Sequence, residues 1–170
     1  SHPCQAISDI YTLKENFGTI NNLNIVWMGD MNNVLFSLLE VISFTKKTKV
    51  DVFTDEKIYS RNQANFSQNE NINFHFNINE EIIAKANCIM TDVFTSMNDK
   101  EDKENLLSKF QVNDKIMSKT DEKSVFMHCL PAKIGSEVTE DVIKSKKSIV
   151  LAQARNRLVV QKGILKWLSI

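Results

Sequence analysis

Two reactive side chains stand together where a hydrophobic run of the sequence stops. The run 124–127 is Ser-Val-Phe-Met, which is typical of a short buried strand, and His128 and Cys129 follow it. Because Pro131 cannot donate to a sheet and favours extended geometry at Leu130, we expect the strand to end at about His128. A thiol and an imidazole at the carboxyl end of a strand suit ligand contact or nucleophilic attack, since open α/β sheets bind ligands at that edge.

Cys129 is expected to line a pocket rather than to attack a substrate. Neighbouring residues of a strand point to opposite faces, so His128 and Cys129 do not form an obvious nucleophile pair. We interpret Cys88, inside another predicted strand, as a small core residue. The histidines and cysteines lack zinc-ligand spacing, which favours a site without a metal.

Polar residues follow two other predicted strands. After the first strand, Gly29 permits a tight turn, and Asp30 or Asn32 can cap the next helix. A cap explains one of these residues, which leaves Asn33 as a candidate ligand contact. Asp92 follows the fourth strand directly, and a carboxylate there is costly to bury unless it is paired. A helix cap or a surface turn is the alternative for Asp92.

The two ends of the chain carry further candidate groups. Pro3 stands where a helix begins, so the free N–H groups of that helix form an anion site, with His2 and Gln5 as additional donors. Plain helix capping is the alternative. In the terminal helix, Arg155 and Arg157 diverge by about 200°, so at most one of them faces a site.

Alternating strand and helix patterns must position these groups. We predict strands at 24–28, 50–53, 72–76, 88–91, 124–128 and 148–151, and helices at 5–13, 34–42, 56–66, 80–86, 139–144 and 152–168. This order is typical of βαβ units, and it predicts a doubly wound, Rossmann-like α/β domain with a mostly parallel sheet flanked by helices. The polar stretch 98–104 is either a solvated loop or a lid.

Composition excludes several classes of protein. The 170 residues favour one domain, and 21 basic against 21 acidic residues argue against a nucleic-acid binder. The sequence contains neither an apolar run long enough for a membrane nor a signal-peptide pattern at its start. Cys4, Cys88 and Cys129 are too few and too widely spaced for a disulfide framework, which favours a cytoplasmic location.

Five motifs together resemble the ornithine carbamoyltransferase family. They are His-Pro-Cys-Gln at 2–5, Gly-Asp-Met-Asn-Asn-Val at 29–34, Asp-Val-Phe-Thr-Ser-Met at 92–97, His-Cys-Leu-Pro-Ala at 128–132 and Ala-Arg-Asn-Arg at 154–157. The resemblance extends over essentially the whole chain. It implies that residues 1–170 are similar to the second, ornithine-binding domain of a two-domain enzyme. The Ser-x-Arg-Thr-Arg phosphate loop of the first domain does not occur here, which implies a truncated form, a proteolytic product or a split gene product.

The resemblance also implies roles for individual residues. Binding of carbamoyl phosphate is implied for His2, Pro3, Cys4, Gln5, Cys129, Leu130 and Arg157. Binding of L-ornithine is implied for Asn33, Asp92, Ser96 and Met97. Cys129, Asp92 and His2 are the implied catalytic residues, with no cofactor and no metal, and a homotrimer is implied for the full enzyme.

The implied reaction transfers a carbamoyl group to the δ-amine of ornithine and gives citrulline and phosphate. We expect this chain to be inactive alone. The chain departs from the family pattern at Asn98, where Gly is usual, and at Arg155, where Glu is usual. Two alternatives remain open: a related carbamoyltransferase for an amine such as putrescine, and a non-catalytic binding or assembly module derived from the enzyme.

Overall fold

Five parallel strands form the sheet of the computed structural model, which describes residues 1–66, 69–95 and 103–170. The strands are β1 (Asn24–Met28), β2 (Lys49–Phe53), β3 (Ile72–His75), β4 (Cys88–Thr91) and β5 (Val125–His128). Their order is β3-β2-β1-β4-β5, and every pair is parallel. The order reverses between β1 and β4, which is the point where such sheets open a crevice for a ligand. The predicted fold class is confirmed.

Helices flank the sheet. They are α1 (Pro3–Phe17), α2 (Asn33–Ile42), α3 (Glu56–Asn62), α4 (Glu80–Ala84), α5 (Glu104–Leu107), α6 (Asp114–Met117), α7 (Glu140–Ile143) and α8 (Val150–Leu168). Short 3-10 turns lie at Gln63–Asn65 and Ser108–Phe110. The terminal helices α1 and α8 pack against each other, and α1 also packs against α2. None of the helices in the described ranges combines the length and the apolar character needed to cross a membrane.

The predicted strand at 148–151 is wrong. Ser148 makes only an isolated bridge to Phe126, and α8 already begins at Val150. Val150, Gln153 and Asn156 are buried at helical spacing, whereas Leu151 is 78% exposed. A short apolar run fits either structure, and here packing of one face against the protein selects the helix.

The core explains why the strands read as continuous hydrophobic runs. Ile25, Val26, Trp27 and Met28 are all buried, because helices cover both faces of the parallel sheet. Gly29 ends this run with φ 126°, and a Cβ there would lie 2.8 Å from Cε1 of Phe94. Only glycine fits this close turn, which brings the residues after β1 toward those after β4.

Candidate active site

A pocket of about 570 Å³ lies at the carboxyl edge of the sheet, against the first turn of α1 and the middle of α8. Its walls include Ser1, His2, Pro3, Cys4, Gln5, Val34, Asp92, Val93, Thr95, Cys129, Leu130, Pro131, Arg157 and Gln161. Residues from the two ends of the chain therefore meet residues that follow β4 and β5. Of the residues with implied roles, Asn33 does not line this pocket, and Ser96 and Met97 lie outside the described residues.

Asp92 has both carboxylate oxygens occupied by donors. Asn32 Nδ2 donates to Oδ2 at 2.7 Å, and the Cys129 thiol donates to Oδ1 at 3.0 Å. The side-chain oxygen of Asn32 also caps α2, where it accepts from the backbone N–H groups of Val34 and Leu35. One asparagine thus starts the helix and orients the acid, which is a contact that the sequence analysis missed.

The Cys129 thiol is held in its neutral form. Burial raises the pKa of Cys129 far above its usual range, and the negative charge and hydrogen bond of Asp92 raise it further. Because the thiolate is the nucleophilic form of cysteine, this thiol does not act as a nucleophile near neutral pH. It donates to Asp92, and Cys129 is one of the residues that line the pocket.

His128 supports the strand end instead of facing the pocket. Its Nδ1 accepts from the backbone N–H of Leu130 at 2.9 Å, so its proton is on Nε2, which donates to Glu137 at 3.1 Å. Glu137 is buried and also accepts from the backbone N–H of Lys133 at 2.6 Å. Glu137 therefore closes the segment 128–137, and only its burial, which the sequence does not display, distinguishes it from a surface acid.

The conformation of Leu130 differs from the extended geometry that we expected before Pro131. Its φ is 53°, in the left-handed region, and its peptide bond to Pro131 is cis. The Leu130 N–H turns back to His128 Nδ1, and this local hydrogen bond accompanies the left-handed conformation. The expected strand end at His128 is confirmed.

The start of α1 presents a histidine and a glutamine in different environments. His2 is exposed, with ring Nδ1 2.8 Å from the Ser1 carbonyl, and its side chain makes no capping bond to α1. Gln5 is buried, its Oε1 accepts from Arg157 Nη1 at 2.7 Å, and its Nε2 donates to Asp9 at 2.8 Å. Gln5 therefore ties Arg157 to the floor of the pocket.

The two arginines of α8 point in different directions. Arg157 lines the pocket, whereas the Arg155 side chain is 69% exposed and lies 3.7 Å from Glu15. The departure from the family pattern at Arg155 is thus directed toward solvent and Glu15, away from the pocket.

Asn33 lies beside a second cavity. This cavity is about 620 Å³, and its lining includes Ser1, Phe36, Ser37 and Phe66. Asn33 is the first residue of α2 and is exposed, whereas the preceding Asn32 turns toward Asp92. The implied ornithine contact of Asn33 stays a prediction. Of the lid alternative for 98–104, only Lys103 and Glu104 belong to the described residues.

Asp92, His128 and Cys129 place three potential metal-binding atoms within 4.8 Å of one another. The sequence spacing did not reveal this cluster. Both ring nitrogens of His128 are occupied, however, and the thiol donates to Asp92. A metal ion would have to displace these bonds, so the three groups fit their hydrogen-bonding roles better than a metal site. Cys4, Cys88 and Cys129 are free thiols.

The fold and the pocket define a doubly wound α/β domain with a polar crevice at the switch point of its sheet, an architecture that binds small molecules. Residues 21–168 match the family model described as "Aspartate/ornithine carbamoyltransferase, Asp/Orn binding domain". The chain belongs to the aspartate/ornithine carbamoyltransferase family and corresponds to its Asp/Orn-binding domain.

The similar proteins are named ornithine carbamoyltransferases. The ornithine carbamoyltransferase of Rhodopseudomonas palustris is 39% identical over 171 residues, which cover 98% of this chain and 55% of the relative. The crystal structure of the Thermus thermophilus ornithine carbamoyltransferase is 36% identical with a TM-score of 0.80, over 97% of this chain and 54% of that one. The Burkholderia thailandensis ornithine carbamoyltransferase is 28% identical with a TM-score of 0.86, over 98% and 54%. This chain spans about half the length of these proteins.

Proposed function

We propose that this chain is the ornithine-binding half of an ornithine carbamoyltransferase, which converts carbamoyl phosphate and L-ornithine to citrulline and phosphate. The observation that carries the proposal is the shared pocket: His2, Gln5, Asp92, Cys129 and Arg157 come from four separate parts of the sequence and line one crevice. The family and its ornithine-named relatives support this choice of reaction.

The amino-acid substrate must lose a proton before it reacts. An ornithine δ-ammonium resembles lysine, with a pKa of about 10.4 in water, and only the neutral amine attacks. The apolar part of the lining, which includes Val34, Val93 and Leu130, favours the neutral amine by desolvation, and the Cys129 sulfur offers a lone pair to an amine N–H. The negative Asp92, fixed by Asn32 and Cys129, is complementary to an ammonium group of the substrate.

The chemical step needs positive groups around the carbamoyl carbon. The neutral amine nitrogen forms a bond to that carbon, the bond from carbon to the phosphate oxygen breaks, and the amine nitrogen passes its extra proton to the departing phosphate. Negative charge grows on the carbamoyl oxygen and on the leaving phosphate. Arg157, held by Gln5, and the exposed His2 ring supply donors for this charge.

We also propose that this half requires a further folded unit for activity. The chain spans only 55% of the length of a relative. On α8, Leu151, Leu158, Leu165 and Leu168 recur at spacings of seven, seven and three residues, and each is at least 58% exposed. Such a stripe is typical of a helix that packs against another helix. The unit that fills the remaining length of the relatives is the proposed occupant of this stripe, and a homotrimer in the cytoplasm belongs to the same proposal.

A citrulline assay tests the function. The chain alone should form no citrulline from carbamoyl phosphate and ornithine, and addition of the amino-terminal part of the R. palustris relative should restore product formation. Asp92→Asn in the restored mixture should abolish it, while Asp114→Asn, at an exposed helix start outside the pocket, should not. Turnover by the chain alone would contradict the proposed division of the enzyme.

The non-catalytic alternative is favoured by the same incomplete length and exposed stripe. A restored mixture that assembles but forms no citrulline supports that alternative. Equal turnover of putrescine and ornithine would instead support the related amine transferase, since putrescine lacks the α-carboxylate of ornithine.

A further inference from the structure

One buried carboxylate joins the two terminal helices beneath the pocket. Asp9, in the middle of α1, is fully buried, and its Oδ1 accepts from the side-chain amides of Gln5 at 2.8 Å and Gln153 at 2.7 Å. Gln5 lies one turn earlier on α1, and Gln153 lies in the first turn of α8. Asp9 does not line the pocket itself.

The chemistry of a carboxylate sets the orientation of both glutamines. An ionised carboxylate only accepts hydrogen bonds, so Gln5 and Gln153 must both present their NH₂ groups to Asp9. Each amide oxygen is then turned away from Asp9. Gln5 Oε1 accepts from Arg157 at 2.7 Å, and Gln153 Oε1 accepts from the backbone N–H of His128 at 2.9 Å.

Both of these outer contacts reach a wall of the pocket. Arg157 lines the α8 side of the pocket, and the backbone of His128 leads directly into Cys129 on the other side. A continuous chain of hydrogen bonds therefore runs from the guanidinium through Gln5, Asp9 and Gln153 to the end of β5.

We propose that Asp9 is the positioning residue of this pocket, because its carboxylate orients Gln5 and Gln153 and thereby fixes Arg157 relative to the Cys129 strand end. The consequence of this positioning for substrate binding rests on the proposed function. The chain of hydrogen bonds from Arg157 to the His128 N–H, here called the relay, does not rest on it. Without the carboxylate, either amide is able to rotate by half a turn, and a rotated Gln5 would present NH₂ groups to Arg157.

The charge on Asp9 is sensitive to pH near neutrality. Burial raises the pKa of Asp9 to about 7, against the lowering effect of the Gln153 and Gln5 amides and of Arg157. The second carboxylate oxygen accepts no hydrogen bond from the part of the chain that the structure describes, so desolvation prevails.

The groups around Asp9 come from every element packed there. Arg157 faces it from α8, Asp92 from the end of β4, Cys88 from within β4 and Cys129 from the end of β5. The only ionisable residue of α2, which also packs on α1, is the exposed Glu40. Protonation of Asp9 weakens its two accepted hydrogen bonds, so the relay should loosen below neutral pH.

A nuclear magnetic resonance titration of the isotope-labelled chain tests the relay. Between pH 5.5 and 9, the side-chain amides of Gln5 and Gln153, the Arg157 guanidinium and the His128 N–H should shift together with one midpoint near 7. Asp9→Asn should abolish this shared transition. Separate midpoints in the wild type, or a transition that persists in Asp9→Asn, would overturn the proposal.

Thr12→Val is the matched control. Thr12 is buried on the same helix, and its hydroxyl accepts from Asn156 of α8 at 3.1 Å, so it also links α1 to α8 but does not belong to the relay. The variant should lose thermal stability and retain the shared transition. Loss of the transition in Thr12→Val would show that any weakening of the helix pair moves Arg157, which would overturn the specific role of Asp9.

Calorimetry with carbamoyl phosphate at pH 8, in the mixture restored with the amino-terminal part of the R. palustris relative, separates this proposal from the proposed function. Asp9→Asn should weaken binding about tenfold, the equivalent of one ordered charge-assisted contact, and Thr12→Val should change it less than twofold. Equal affinity of wild type and Asp9→Asn would overturn the positioning role. Absence of binding by every variant, with the shared transition intact, would contradict the proposed function and support the relay.

Discussion

Replacing Asp9 by asparagine should stabilise the protein, and increasingly so as the pH rises. The pKa of Asp9 is raised by burial from 3.8 to about 7, so the folded state holds a proton in a pH range where the unfolded chain has lost it. The contribution of the protonated Asp9 to the free energy of unfolding is therefore fully present below about pH 4, and it is lost as the pH rises through 7. Asparagine cannot ionise, so Asp9→Asn avoids this loss.

The magnitude follows from the difference in pKa. Between pH 5 and pH 8, the advantage of Asp9→Asn in the free energy of unfolding should grow by roughly 3 kcal/mol, since each unit of pKa difference corresponds to about 1.4 kcal/mol. Urea unfolding of Asp9→Asn and of the wild type at these two pH values measures it. For a slope of about 2 kcal/mol per M, the difference between their unfolding midpoints should be about 1.5 M larger at pH 8 than at pH 5.

The control for this measurement is Thr12→Val, which removes a buried polar group from the same helix without removing an ionisable group. Its effect on the free energy of unfolding should be the same at pH 5 and pH 8. An advantage of Asp9→Asn that stays constant with pH, or that shrinks as the pH rises, would refute the assignment of a raised pKa to Asp9.

Three other substitutions or modifications test separate parts of the structure. Asn32→Ala should lower the free energy of unfolding by about 1–2 kcal/mol in urea titrations, whereas Asn32→Ser should recover most of it by restoring the helix cap without the Asp92 contact. Equal losses would contradict the capping role. Glu137→Ala should cost at least about 2 kcal/mol in the same assay, because the Lys133 N–H and the His128 ring lose their buried acceptor; a neutral result would contradict the proposed closure of segment 128–137. In single-cysteine variants, Cys129 should react with a disulfide reagent far more slowly at pH 8 than Cys4, which is likewise half-buried, because burial and Asp92 raise the pKa of Cys129; comparable rates would contradict a neutral thiol.

Most of the sheet could be predicted from the sequence, because parallel strands covered on both faces need apolar runs. The strand at Cys88–Thr91 and the strand end at His128 were predicted where they lie. The run at 148–151 was assigned wrongly, because a serine followed by three apolar residues fits a strand or a first helical turn, and only packing on the rest of the protein decides.

The hydrogen-bonded support of the pocket was the hardest part to predict. Asp9 and Gln153 are 144 residues apart, and the sequence of an amphipathic helix does not distinguish a buried polar residue that has a distant partner from an exposed one. The choice between Asn32 and Asn33 shows the same limit. Both follow a strand, but which of them turns toward Asp92 depends on the helix cap geometry.

The most direct test of the central claim is a titration of the labelled chain with L-ornithine, followed by backbone nuclear magnetic resonance. We expect saturable shifts at Asp92, Val93, Cys129 and Leu130 around the pocket, and their loss in Asp92→Asn. Putrescine at the same concentrations should produce weaker shifts. Shifts confined to residues remote from this pocket, or an equal response to putrescine, would contradict the assignment of the pocket as an ornithine site.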